Sequence, residues 1–72
     1  MPESVDPLIT KLLHRLHDAD PTVRRNAVGA LRLHGRRASC AAAELARLTH
    51  DADDSVRQEA QRALSRLRDS AA

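Results

Sequence analysis

Leu8, Ile9, Leu12, Leu13 and Leu16 recur at separations of three and four in an otherwise polar stretch, with Val5 just ahead of them. That spacing predicts an amphipathic helix from Pro7 to about His17. Asp6 before Pro7 supplies the start signal. A short carboxylate accepts the first amides, and proline loses nothing at a first helical position whose N–H has no intrahelical partner. Asp20-Pro21 repeats the signal, after which Val23, Ala27, Ala30, Leu31 and His34 share one face until Gly35 stops the second helix. The third apolar stripe is Ala38, Ala41, Ala42, Leu45 and Leu48, on a helix starting at Ser39 as its cap or already at Ala38. Small residues replace Leu8 and Ile9 there, so this helix can approach its neighbours closely. Asp53 caps a fourth helix with Val56, Ala60, Ala63, Leu64 and Leu67 on its apolar side.

The second half of this pattern echoes the first. Asp18-Ala19-Asp20-Pro21-Thr22-Val23-Arg24 returns 33 positions on as Asp51-Ala52-Asp53-Asp54-Ser55-Val56-Arg57, and Ala27, Ala30 and Leu31 return as Ala60, Ala63 and Leu64. A fixed period of this size marks stacked helical units that bury their apolar faces against one another. The connections Asp18-Ala19-Asp20 and His50-Asp51-Ala52-Asp53 are short, so each helix pair is antiparallel, with one residue added near Thr49 in the second copy. The expected architecture is all-α: four helices as two stacked antiparallel hairpins forming a small α-solenoid. Its divisions are an N-terminal segment 1–5, a first repeat 6–35, a second repeat 36–68 and a flexible tail 69–72.

At 72 residues the chain makes a single domain, in a size range where one core is only marginally stabilising and a companion chain is useful. Two repeats are also fewer than the three or more that a free-standing solenoid usually needs. The ten Leu, one Ile and four Val are few, and thirteen Ala support them only because they fall in a regular pattern. There is no Phe, Tyr or Trp, which removes the stacking platforms used on single-stranded nucleic acid and the aromatic anchors of many interfaces. Twelve basic residues against ten acidic give a net charge of only +2, not the one-sided field of a dedicated nucleic-acid binder. The lone Cys40, the absence of a signal-like N-terminus and the absence of a long apolar run fit a soluble protein of the reducing cytoplasm, away from the membrane.

Leu12-Leu13, Leu16, Asp18, Asp20, Val23-Arg24, Ala27, Ala30-Leu31 and Gly35 form one copy of a motif. Leu45, Leu48, Asp51, Asp53, Val56-Arg57, Ala60, Ala63-Leu64 and Leu67 form the other. Together they resemble the HEAT-like repeats, in particular the short bacterial type of phycobilisome-lyase-like proteins, over about residues 5 to 68. The resemblance implies two helices per repeat, the second lining the inner surface. It also implies a structural ladder in which Asp18 and Asp51 in the turns pair with Arg24 and Arg57. The chain departs from the family at His34, normally aliphatic, and at Gln61, where the first copy has Val28. A polar Gln61 facing the next repeat position implies a capping face on the second hairpin, with no further hairpin expected beyond Ala72.

Candidate chemistry is thin, and we expect no catalytic residue, no cofactor and no metal. His14 and His17 lie three apart but on the polar side of the first helix and lack a third ligand. In one HEAT-like enzyme family, the deoxyhypusine hydroxylases, His-Glu pairs after the Val-Arg hold two irons; here those places hold Arg25-Asn26 and Gln58-Glu59. Cys40 has no activating neighbour in a redox or protease signature. What remains is the side of helices 2 and 4 turned away from their apolar stripes, where helical geometry places Arg25, Gly29, Arg32, Leu33, Arg62 and Arg66. The arginines offer directional contacts to acidic groups, Leu33 an apolar contact and Gly29 a place of close approach. The expectation is a non-catalytic protein–protein interaction or scaffold module. The apolar stripe Leu8–Leu12–Leu13 adds self-association into a homodimer or larger homo-oligomer. Electrostatic nucleic-acid binding and an accessory role beside an enzyme such as a chromophore lyase are the competing readings.

Overall fold

The computed structural model describes residues 6–71, the side chains of residues 36, 37, 70 and 71 excepted. The segment 1–5, with Val5, lies outside the described residues, as does residue 72. Four α-helices follow in order: α1 (Pro7–Arg15), α2 (Pro21–His34), α3 (Ala42–Leu48) and α4 (Asp54–Ala71), with a 3-10 segment, Gly35–Ala41, between α2 and α3. The all-α, two-hairpin architecture is as the periodicity requires.

The aspartates do what their positions predict. Asp6 accepts the Leu8 amide at 2.8 Å, Asp20 the Thr22 amide at 2.9 Å and Asp53 the Val56 amide at 3.0 Å. The Ser55 hydroxyl also bonds Asp53, and it, with the Val56 amide, holds the Asp53 carboxyl below its ordinary range. Gly35 ends α2 with φ of 59°, the one positive φ among the described residues, in a region that side chains with a Cβ avoid.

Three local expectations are corrected. First, α3 starts neither at Ala38 nor at Ser39. Ala38 is non-helical (φ −102°, ψ 16°), the α-helix begins only at Ala42, and no side chain caps it. Tertiary burial explains the detour: the three-residue period of a 3-10 turn aligns Ala38 and Ala41, both fully buried, in a strip on which α2 and α4 pack. Ala42, expected in the buried stripe, is exposed. Second, no residue is inserted near Thr49. The turn bonds His17 N–H to His14 and Asp18 N–H to Arg15 recur as His50 to Arg47 and Asp51 to Leu48, all at 3.1 Å and 33 residues apart. Leu48 therefore corresponds to exposed Arg15, and buried Leu16 to half-buried Thr49. Third, helical structure continues through Ala71, so residues 69–71 prolong α4 where a separate tail was expected; no Gly or Pro interrupts it.

One continuous core joins the hairpins. Ile9, Leu16, Val28, Leu31, Leu45 and Val56 are its largest fully buried side chains, and α4 packs mainly against α2. Leu12 is spent in this core, while Leu8 is 46 % exposed and Leu13 only partly buried. The apolar strip left open on α1 is thus narrower than the sequence stripe.

The ladder ties the two turns together. Arg24 donates through Nη1 to the carbonyls of Asp18 (2.8 Å) and Ala19 (3.1 Å) in its own turn, and through Nη2 to Asp51 Oδ2 (3.0 Å) in the next. Arg57 repeats the first half, bonding the carbonyls of Asp51 (2.8 Å) and Ala52 (3.2 Å), but its Nη2 folds back on Asp54 at 2.9 Å. Burial of Asp51 opposes its ionisation. The Arg24 bond and the Asp53 amide outweigh it, so the carboxyl titrates below its ordinary 3.8.

The Arg24 and Asp51 side chains are only 15 % and 9 % exposed, so truncating Arg24 strands a largely buried carboxylate. Arg24→Ala is expected to cost about 2–4 kcal/mol, and Arg57→Ala, whose outer bond is to an exposed carboxylate, about 1 kcal/mol. Urea denaturation of the two variants checks the order. A second expectation concerns acid. Because the folded pKa of Asp51 is depressed, its contribution is complete above 3.8 and is lost as pH falls from 3.8 through the lower folded value. Asp51→Asn should therefore be less stable at neutral pH and show a flatter acid limb in thermal midpoint against pH.

Candidate interaction surface

The expected inner face is built where α2 and α4 lie side by side. Its centre is a residue absent from the expected site: Glu59 on α4. Arg32 donates from Nε to Glu59 Oε2 at 3.1 Å, and Arg62 Nη1 stands 3.6 Å from Oε1. The Glu59 side chain is 15 % exposed, so this pair bridges the repeats under partial cover. Its signal was in the sequence. Arg32 and Glu59 are 27 residues apart, as are Arg24 and Asp51, so both inter-repeat pairs obey one spacing.

Arg32, Arg62 and Arg66 come together in an open groove with Gln58, Gln61, Ser65 and Asp69. Arg62 and Arg66 are exposed, and Arg66 makes no ion pair among the described residues. Arg32 is half-buried and already neutralised by Glu59. Gln58 donates to Asp54 at 3.0 Å, which fixes one wall. Arg25, Gly29 and Leu33 do not line this groove. Leu33 is 77 % exposed and Arg25 is exposed, while Gly29 is half-buried. A Cβ on Gly29 would lie 3.3 Å from Glu59 Oε2, so the close approach at Gly29 is to the chain's own carboxylate. Gln61 is exposed, whereas its counterpart Val28 is fully buried against the second repeat.

A smaller polar cluster forms on the opposite helices. Arg47 reaches Glu44 Oε1 at 2.6 Å and the His17 ring nitrogens at 3.2 and 3.4 Å, with His17 Nε2 also 3.3 Å from Glu44. The Arg47 bond holds the Glu44 carboxyl below its ordinary range. His17 is thus engaged with an ion pair, His14 stays exposed, and among the described residues no three His, Cys, Asp or Glu side chains gather as a metal site. Cys40 is free and exposed.

Residues 9–72 match the family model described as HEAT repeats. The chain belongs to the HEAT repeat family. The match is to the repeat in general and singles out no lyase-type branch. Comparisons with curated proteins and with solved structures gave no match. Among the described residues of this HEAT repeat protein, no helix is long and apolar enough to cross a membrane.

The Gly29 geometry has a measurable outcome. Glu59 Oε2 is the tip of a flexible side chain and can move by a few tenths of an ångström, while alanine in a helix interior gains about 1 kcal/mol over glycine. Gly29→Ala is expected to stabilise the fold by about 0.5 kcal/mol in chemical denaturation.

Proposed function

We propose that this HEAT repeat protein is a non-catalytic protein-interaction module of the reducing cytoplasm whose contact surface is the arginine-lined groove of α2 and α4. The observation that carries the reading is the convergence of Arg32, Arg62 and Arg66 on one open groove, with the last two exposed. Arginine forks suit carboxylates, so the fitting partner is an acidic protein segment laid along the groove. Arg25 and Leu33 extend the surface on the flank of α2, where Leu33 offers apolar area. The net charge of only +2 is far from the one-sided field of a nucleic-acid binder, and no aromatic ring offers a base a stacking partner, which disfavours a nucleic acid. An accessory role beside an enzyme such as a chromophore lyase would use the same groove.

Self-association is the second part of the proposal. It is supported by the open apolar positions Leu8 and Leu13 on α1 and by the half-buried Val23 and Ala30 on α2.

Exposed Arg62 and Arg66 can be removed without disturbing the core. Arg62→Ala with Arg66→Ala is expected to leave circular dichroism and thermal midpoint unchanged and to weaken binding of a glutamate-rich peptide about tenfold or more. Fluorescence anisotropy against that peptide and a duplex DNA of equal charge gives both arms. Peptide binding that survives the double substitution, or tighter binding of the duplex, sinks the acidic-peptide reading.

A further inference from the structure

The junction between the two repeats is a template for a junction between two chains. Within the chain, the second repeat presents Asp51, Val56, Glu59, Ala60 and Ala63, and the three apolar members are fully buried. Their counterparts 33 residues earlier are Asp18, Val23, Asn26, Ala27 and Ala30, which line an open groove on α1 and α2. Val23 and Ala30 are only half-buried there. The same surface is therefore covered in the second repeat and only partly covered in the first, where Ala27 alone of the apolar members is buried.

The surface that would cover it is present at the other end. α2 meets the second repeat with Arg24, Val28 and Arg32; α4 carries Arg57, Gln61 and Ser65 at the corresponding positions. Arg57 is seated as Arg24 is, and differs only in its outer nitrogen, which rests on Asp54. That carboxylate is 71 % exposed, and an exposed pair three residues apart on a helix contributes little, so the nitrogen is readily given up. Asp18 is seated as Asp51 is: it accepts the Asp20 amide at 2.8 Å where Asp51 accepts the Asp53 amide at 2.9 Å. No cation pairs with Asp18 among the described residues.

We infer that a second copy of this chain stacks head to tail, with its α4 in the open α1/α2 groove and its Arg57 on Asp18, which continues the ladder across the junction. This rests on the proposed self-association and assigns it to the repeat ends, not to the Leu8 side of α1. Ser65 faces Asn26 where Arg32 faces Glu59 inside the chain, a neutral pair that can hydrogen-bond and strands no charge. Gln61 replaces Val28 against the alanines, so the contact is weaker than the internal one and reversible. Such a contact is heterologous, and the stack grows with concentration instead of stopping at two.

Sedimentation equilibrium over a micromolar-to-millimolar series, at low and high salt, tests this on the full chain. Wild type is expected to gain mass beyond a dimer and to lose it in salt. Asp18→Arg alone or Arg57→Asp alone should weaken association about tenfold or more, and an equimolar mixture of the two, or both changes in one chain, should restore it. Circular dichroism checks each variant's fold. Asn26→Glu with Ser65→Arg, at two exposed positions, copies the internal ion pair and should tighten association severalfold without touching the ladder. Wild type that stays monomeric throughout refutes self-association itself. Association that ignores the charge reversals, is not restored by the mixture, or does not tighten with the copied pair refutes the head-to-tail assignment and leaves self-association standing.

Discussion

One guanidinium sets how the hairpins sit on each other. Arg24 closes its own turn through two carbonyls with Nη1 and holds the carboxylate of the next turn with Nη2. The fork is planar, so these bonds are not independent: fixing the first turn fixes where Asp51 must lie. Asp51 in turn accepts the amide of Asp53, which caps α4. A chain of bonds thus runs from the end of α1 to the start of α4. The cost is visible at Arg24 Nε, a buried donor without a partner among the described residues. That cost is tolerable because a chain of this size has about 4–11 kcal/mol of stability in all, and the junction aligns much of its core.

The parts of this fold that were legible in the sequence are those decided locally. Asp6, Asp20 and Asp53 cap helices because a short carboxylate meets free amides a few residues away, and Gly35 ends α2 because its φ is positive. The start of α3 was not legible. A run of small residues carries no local signal, and the path from Ala38 to Ala42 is set by what α2 and α4 leave room for. The register of the hairpins misled for a related reason. Matching Leu16 to Leu48 by hydrophobicity implies an insertion, whereas the backbone bonds keep 33 throughout and pair Leu48 with Arg15. Hydrophobicity here reports which neighbour a position meets, and backbone bonding reports the repeat.

The candidate surface was legible in outline only. Helical geometry correctly separated Arg62 and Arg66 from the core, but it treats each helix alone and cannot show that Glu59 crosses to Arg32. That bond matters for the proposed function because it changes the count of open cations. Arg32 is committed to holding repeats together, Arg62 lies near the same carboxylate, and Arg66 carries the least compensated charge in the groove. Gly29 changes meaning for the same reason: its missing side chain makes room for Glu59. A face that reads as a row of arginines is, in three dimensions, part ladder and part candidate binding surface.

The differences between the copies follow the direction in which each position faces. Toward a preceding repeat, Arg15 and Asn26 in the first copy stand where the second has buried Leu48 and bonded Glu59. Toward a following repeat, Thr49 and Gln61 in the second stand where the first has buried Leu16 and Val28. Positions buried in both copies, such as Leu12 and Leu45 or Ala27 and Ala60, keep their character. The ends are therefore made more polar without losing Asp18, Val23, Ala30, Arg57 or Leu64, the groups that form a junction. Inside one chain, the connection between repeats gives the junction an effective concentration in the millimolar range; between chains that advantage is absent. Under the proposed head-to-tail association, a softened copy of the same surface would hold only when the chain is abundant, and the polar substitutions at the ends would set the concentration at which repeats of separate molecules begin to behave as one array.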